Sequence, residues 1–384
     1  MRSARTSQHL HHRPLRGAGK AMPEDARRHN RSLALQALFG LDPLSRADLA
    51  RSTHLTPTTA SDLVSGLLDD GLVEEVGRRP GRGAGKPATL LSIVPDGRHL
   101  VCLDLSDEEA VVGAVINLAG TVVTRRTLKR NGRVGDDAVD LVAELAESLA
   151  ADTDRPLLGV GIGSPGLVDG NGVVVAAWSY QWARVPLAEI LSARLDLPVH
   201  VVNDANAATL GEFTFGHTTA QNFVVVKLGQ GVGAGLVIDG RLVSGERAAA
   251  GEIGHVVVDE RGDLCACGNR GCVELAVAVP FVRQRLAAAG ADAAAHRRVV
   301  AGAGRRLGIA LATVVSAIDS QEVVLSGPPD IVDDRFCAAV LATIRRRTIA
   351  LIGEHVDVRV SSLGIDDVLF GAASLVLSQE LGIA

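Results

Sequence analysis

The sequence predicts an α/β protein, with a small basic helical head in front of a two-lobed α/β body. Composition is the first reason. Apolar residues make up 47% of the 384 but aromatics only 3%. The interior must therefore be built from Val, Leu, Ile and Ala, which suits buried strands under helices better than an aromatic-rich sandwich. The second reason is a change of texture near residue 98, from short helical patterns to alternating strands and helices. The third is charge: residues 1–98 carry a net +5 and the remainder −10, which places any polyanionic partner at the head. A chain of this length exceeds one ordinary core, so two or three domains are expected.

Residues 1–24 are polar and rich in His and Arg, and read as a disordered tail. They hold no apolar stretch of signal-peptide type, and no apolar run in the chain approaches the ~18 residues of a membrane span. A cytoplasmic protein with no membrane partner is expected.

The head spans 25–97. "RRHNRSLALQALFG" supplies a first helix with Gly40 as its stop, and Ser45 fits the N-cap of a second. Thr56 and Pro57 fit the N-cap and first position of a third, with Leu63, Val64, Leu67 and Leu68 as its buried stripe. "LVEEVGRRPGRGAGKPATLLSIV" then reads as strand, basic loop, strand. Three short helices and a basic two-stranded wing make a winged helix-turn-helix. Thr58, Thr59 and Ser61 lie on the first turns of its third helix, the part that meets base edges. Arg79, Arg82 and Lys86 of the wing's acid-free loop suit phosphate or minor-groove contact. A small helical dimerisation or capping domain is the alternative. "GRGAGKP" is no phosphate loop, because Pro80 and Pro87 stand where Gly and Ser/Thr belong.

The body spans 98–384. "HLVCLDL", "AVVGAVIN" and "GTVVTRRTL" are successive strands, and "DDAVDLVAELAESLAAD" is an amphipathic helix. "GQGVGAG" looks like a dinucleotide fingerprint, but it runs on into a strand instead of opening a helix, so a hairpin turn is expected. Cys102 and Cys337 sit in apolar contexts and read as buried fillers.

The other three cysteines cluster in "GEIGHVVVDERGDLCACGNRGCVE", with a histidine upstream. With no export signal, a metal is a better use of these thiols than disulfides. His255, Cys265, Cys267 and Cys272 offer one nitrogen and three sulfurs, which suits Zn2+ in a closed tetrahedral structural site. Gly268 and Gly271 would let the chain fold tightly around the ion. Reduced thiols without a metal are the alternative.

Together with "VVNDANAATLGE" and "GIGSPGLVD" upstream, this segment resembles the ROK family of sugar kinases and sugar-responsive repressors, over roughly residues 28–380. The resemblance implies a two-lobed actin-like fold, of the sugar kinase and ribonuclease H-like kind, assembled as a homodimer or homotetramer. It implies that structural zinc braces the segment carrying His255 and Glu274. It also implies sugar contacts at Asn203, Asp204, Glu252, His255 and Glu274, with Asp204 in the position of the kinases' general base. His255 would then divide its two ring nitrogens between metal and sugar.

Two departures from the family bear on activity. Its kinases open with Asp, a hydrophobic residue and Gly-Gly-Thr, whereas this chain reads "LDLSDEEAV". Asp104 is kept, but Ser106, Asp107 and Glu108 replace the phosphate-binding turn and Glu109 follows. The second nucleotide loop, "VVLSGPPD", keeps only Gly327, and its prolines donate no amide hydrogens. No kinase activity is expected, and Asp204 is a vestigial base. In "AAWSYQWARVPL", Ser179 stands where relatives place a sugar-contacting Asn. The flanking Trp178, Tyr180 and Trp182 read either as a sugar-stacking rim or as packing at an interface. The expectation is a regulator of carbohydrate metabolism, by default a repressor, that binds operator DNA and senses a sugar or sugar derivative. An ATP-dependent sugar kinase with an appended DNA-binding domain is the alternative.

Overall fold

The computed structural model describes residues 23–40, 42–79 and 87–383. Most of the expected tail, and the wing residues Arg82 and Lys86, lie outside the described residues. Helix α1 (Pro23–Leu38) begins ahead of the apolar periodicity that marks it in the sequence, because Pro and acidic residues at its start favour an earlier N-terminus. Helix α2 (Arg46–Thr53) opens on a capping box: Ser45 accepts from the Asp48 amide at 3.2 Å, and Asp48 accepts from the Ser45 amide at 3.0 Å. Helix α3 (Pro57–Asp69) has Thr56 as its N-cap, accepting from the Thr59 amide at 3.2 Å. Strands β1 (Leu44–Ser45), β2 (Val73–Arg78) and β3 (Thr89–Ile93) form an antiparallel sheet in the order β1-β3-β2.

The body contains two five-stranded sheets of one topology. The first takes β4 (His99–Asp104), β5 (Ala110–Asn117), β6 (Val122–Lys129) and β7 (Leu157–Ser164). A small sheet of β8 (Leu167–Val168), β9 (Val174–Ala177) and β10 (Trp182–Val185) follows, and β11 (Val199–Asn203) completes the first sheet in the order β11-β7-β4-β5-β6. The second sheet holds β12 (Phe223–Leu228), β13 (Val232–Ile238), β14 (Arg241–Leu242), β15 (Glu322–Ser326) and β16 (Asp357–Val360), in the order β14-β13-β12-β15-β16. In both, the first strand runs antiparallel to the meander on one side and parallel to the later strand on the other. The duplication is one of connectivity; no repeat is visible in the residues.

Helices cover both faces of the first sheet, so β4 is apolar from Leu100 to Leu103 and its alternate residues serve different cores. Val101 and Leu103 pack with α4 (Gly135–Ala150) and α5 (Leu187–Leu195). Leu100 and Cys102 face a core that contains Leu369, Ala372 and Val376, together with Leu35, Leu49 and Leu67 of the head. Helix α6 (Asp204–Phe215) packs on β12 and β13. The second lobe adds α7 (Val273–Val277), α8 (Val279–Ala288), α9 (Ala293–Ile318), α10 (Asp334–Arg347) and α11 (Ala350–Gly353). Helix α12 (Asp367–Val376) returns to the first lobe and lies against α6, β4 and β7. Its close approach requires Gly161, where a Cβ would stand 2.1 Å from the Ala372 carbonyl oxygen. Among the described residues, only α9 is long and apolar enough to cross a membrane. Its face of Val300, Ala303, Leu307, Leu311 and Val315 is buried in the second-lobe core.

The head is joined to the body by more than its linker. Ser32 and Gln36 of α1 donate to the Gly382 carbonyl at 2.5 and 2.6 Å, and the two regions share the core just described.

Candidate metal centre and ligand cleft

The segment after β14 folds back on itself through bridges between Val257 and Cys272 and between Leu264 and Arg270. Gly271 makes this possible, with φ +70° and a would-be Cβ 1.6 Å from the Asp259 carbonyl oxygen. The fold brings ligand atoms of His255, Cys265, Cys267 and Cys272 all within 4.8 Å of one another. Cys265 Sγ lies 3.7 Å from His255 Nδ1, and Cys267 Sγ lies 3.6 Å from Cys272 Sγ. Sulfurs about 2.3 Å from one ion at tetrahedral angles would stand about 3.8 Å apart, so the four residues could hold a metal with little movement. Nδ1 of His255 faces the sulfurs, which leaves Nε2 for another partner. The remaining thiols of Cys102 and Cys337 are buried, as their apolar context implied.

Next to this cluster, Glu252, His255 and Glu274 lie near enough to influence one another. Desolvation raises the Glu252 carboxyl above its usual range, with His255 opposing and Glu274 reinforcing the rise. Glu274 approaches the Gly229–Gly231 turn: a Cβ on Gly231 would be 2.9 Å from its Oε2. That turn joins β12 to β13 as a hairpin, as its continuation into a strand required.

On the other side of β13, Asn203 caps α6. Its Oδ1 accepts from the Ala205 and Asn206 amides at 3.0 and 3.1 Å, and its Nδ2 donates to the Gly166 carbonyl at 2.8 Å. These bonds fix the turn that presents Asp204. Burial pushes the Asp204 carboxyl up to about 6, with Lys227 pulling it down and Asp104 adding to the rise. Asp104 is raised by the same desolvation, and accepts from the Ser106 hydroxyl and amide at 2.5 and 2.8 Å.

Lys227 is the charged residue at the centre of these carboxylates that motif reading missed. It sits in β12 with its side chain 17% exposed, and its ammonium lies 3.1 Å from Asp367, whose side chain is 1% exposed. Asp367 also accepts from the Ser326 hydroxyl. Desolvation works against the Lys227 charge, but Asp367, Asp104 and Asp204 outweigh it and hold the ammonium's pKa above its ordinary value. One buried cation thus serves three carboxylates. The available signal was a lysine inside the apolar strand "FVVVKL", where an unpaired charge is very costly.

The "LSDEEAV" turn closes on its own acids: Asp107 accepts from the Glu109 and Ala110 amides at 2.6 and 3.1 Å. In the loop after β15, the Pro328 carbonyl accepts from the Ile331 and Val332 amides. A Cβ on Gly327 would press against Val332 and Leu228.

The aromatic trio divides. Tyr180 and Trp182 are buried and stacked at 4.5 Å, with Tyr180 donating to the Leu105 carbonyl and Trp182 Nε1 to the Gly135 carbonyl. These two are packing residues; Trp178, 77% exposed, is the one free to form a rim. Ser179 sits between them, its carbonyl held by Arg130 at 2.7 Å. Arg130 is a second residue the sequence hid: it is buried, stacks over the Tyr180 ring at 4.5 Å, and its Nε and Nη1 meet no hydrogen-bond partner among the described residues.

In the head, Thr58 is exposed, but the Thr59 hydroxyl is engaged with that of Thr56 at 2.8 Å and Ser61 is half-buried. Arg79 pairs with Asp48 at 2.9 Å.

A sequence pattern for the ROK family matches residues 101–379. The xylose repressor of Caldicellulosiruptor bescii is 27% identical over 387 residues, covering 92% of this chain and 96% of its own. A solved ROK family transcriptional regulator, a homolog of the Escherichia coli MLC protein, shares the fold with a TM-score of 0.82 at 24% identity, over 93% of this chain and 98% of its own. A ROK family glucokinase from Streptomyces griseus, solved with glucose and AMPPNP, has a TM-score of 0.64 at 25% identity, over 72% of this chain and 98% of its own. The chain is thus related both to transcriptional regulators and to glucokinases, and it belongs to the ROK family.

Proposed function

We propose that the protein is a sugar-responsive DNA-binding regulator, by default a repressor, of carbohydrate metabolism. Residues 25–97 act as a winged helix-turn-helix, and 98–384 as a two-lobed sensor that works as a homodimer or homotetramer in the cytoplasm. The observation that carries this reading is coverage. The repressor aligns along nearly the whole chain, whereas the glucokinase accounts for about the body alone. In the head, Thr58 and the wing arginines would meet DNA, with Arg79 first released from Asp48 or bridging it to phosphate.

In the cleft, Asn203, Asp204, Glu252, His255 and Glu274 would bond sugar hydroxyls, His255 through Nε2, with Ser179 and Trp178 at the rim. Zn2+ would be held by His255, Cys265, Cys267 and Cys272, where it braces the loop and supplies no chemistry. Three features speak against phosphoryl transfer: the acid-capped turn at 106–110, the proline loop at 328–329, and the Lys227 ammonium among the carboxylates.

The test is the affinity of the full chain for DNA upstream of its own gene, against unrelated DNA, across a salt series. A specific complex about 10³-fold or more tighter supports the reading; equal, steeply salt-dependent binding to both fragments removes it. The retained Asp104 and Asp204 and the glucokinase likeness favour one rival, a sugar kinase with a DNA-binding appendage. ATP-dependent phosphorylation of a hexose, lost in Asp204→Asn, would establish that rival.

A further inference from the structure

Away from the cleft, the second lobe carries a cavity of about 810 Å³ walled by α7, α8, α9 and α10. Arg285, Arg298, Arg305, Arg306, Arg346 and Arg347 line it, and no carboxylate does. Ala276, Val299, Ala303 and Ile309 give it apolar walls.

Few of these charges are neutralised by the fold. Arg298 meets Asp292 and Arg306 meets Asp259, both at a long 3.4 Å on the surface. Arg285 donates to the Leu275 and Ala276 carbonyls at 2.6 and 2.9 Å, and Arg346 to the Thr343 hydroxyl at 3.2 Å. Among the described residues, Arg305 and Arg347 form no ion pair. The helix dipole accounts for cations in the last turn of α10. It does not account for Arg298, Arg305 and Arg306, which lie within α9 and converge on the same space. Burial and the neighbouring Arg306 hold the Arg285 guanidinium below its ordinary range, a repulsion that an anion would relieve.

We propose that this cavity binds a small, multiply charged anion bearing phosphate groups. Guanidinium forks match phosphate oxygens two at a time, which no arrangement of lysines would do as well. The volume is that of a small-molecule site. Every lining residue belongs to the second lobe, whereas the head packs on the first lobe and α12, so the cavity is no extension of the DNA-binding surface. The site also touches the metal segment. Arg285 holds the carbonyls that directly follow Glu274, and Arg306 pairs with Asp259. An anion drawing on these arginines would bias the loop that carries the cleft residues, and a cleft ligand would bias anion affinity equally.

The test is calorimetric titration of the full, metal-loaded chain with inorganic pyrophosphate, using inorganic phosphate and chloride at matched ionic strength as comparisons. Saturable binding of pyrophosphate, tighter than phosphate and absent with chloride, is expected. In Arg305→Ala/Arg347→Ala it should weaken by about tenfold or more; neither side chain holds the fold together, so the melting temperature should stay unchanged. Three results would overturn the proposal. One is no saturable heat with pyrophosphate at millimolar concentration. Another is unchanged affinity in the double variant. The third is a double variant that instead loses its oligomeric state or its DNA binding, which would make the arginines an interface with a second copy or with DNA.

Discussion

Replacing Lys227 with methionine keeps most of the side-chain volume and removes the one cation, among the described residues, that faces Asp367, Asp104 and Asp204. At 3.1 Å and an effective dielectric of about 20, the Lys227–Asp367 attraction is roughly 5 kcal/mol before desolvation. Truncating one partner of a buried pair costs about 3–5 kcal/mol, because the other charge is left uncompensated. The lower end applies here, since the carboxylates can take up protons instead of remaining charged. With a urea dependence near 3 kcal/mol per molar, Lys227→Met should lower the unfolding midpoint by roughly 1 M at pH 7. The gap should narrow toward pH 5, where proton uptake by Asp204 removes one of the carboxylate charges left without a cation. Lys227→Met/Asp367→Asn should recover about half of the loss, because it removes the stranded charge while an amide can still accept from Ser326. Circular dichroism in urea gives both numbers. A single variant within about 0.5 kcal/mol of the parent, or a double variant no better than the single, would refute the idea that one cation organises the cleft.

Four further outcomes can be checked. Elemental analysis should find one zinc per chain, and Cys265→Ser should lose it and lower the melting temperature; a metal-free parent of unchanged stability under chelation would remove the structural site. A sugar that donates to the Asp204 carboxylate should bind more weakly as pH falls through about 6, and Asp204→Asn should flatten that dependence. The same raised pKa contributes stability that is full below the ordinary carboxylate range and is lost as pH rises through about 6, so Asp204→Asn should be relatively more stable at pH 7 than at pH 4. Removing both donors to Gly382, in Ser32→Ala/Gln36→Ala, should loosen the head by about 1–3 kcal/mol. Limited proteolysis should then cut faster between head and body, and an unchanged rate would mean the shared core alone holds them.

What could be read from the residues was whatever depends on local rules. Ser45 and Thr56 announce their helices because capping is a three-residue interaction. His255 and the three cysteines announce a centre because their chemistry is narrow. What depends on distant partners stayed hidden. The charge of Lys227 is intelligible only once Asp367, 140 residues away, is known to meet it. The three aromatics of "WSYQW" could not be apportioned, since the bend that buries Tyr180 and Trp182 while exposing Trp178 is set by contacts with Leu105 and Gly135. The Arg-lined cavity was invisible for the same reason, being assembled from four helices.

On the regulator reading, α6 is the physical route between cleft and head. It begins at Asp204 and ends at Phe215, whose ring meets Phe39 of the head at 6.1 Å and Phe370 of α12 at 5.5 Å. In its last turn, Glu212 pairs with Arg359 of the second lobe at 3.1 Å. A close-packed helix held at both ends moves as a unit or not at all. Any lobe closure that shifts Asp204 must therefore be felt at Phe39, but only to the extent that the ligand prefers the closed arrangement. Moving such an equilibrium from 1:99 to 99:1 takes about 5.5 kcal/mol of differential affinity, and a sugar that binds both arrangements equally shifts nothing however tightly it is held. Affinity alone is therefore the wrong screen for the effector. The sugar that matters is the one that changes DNA binding, including one whose own dissociation constant is unimpressive.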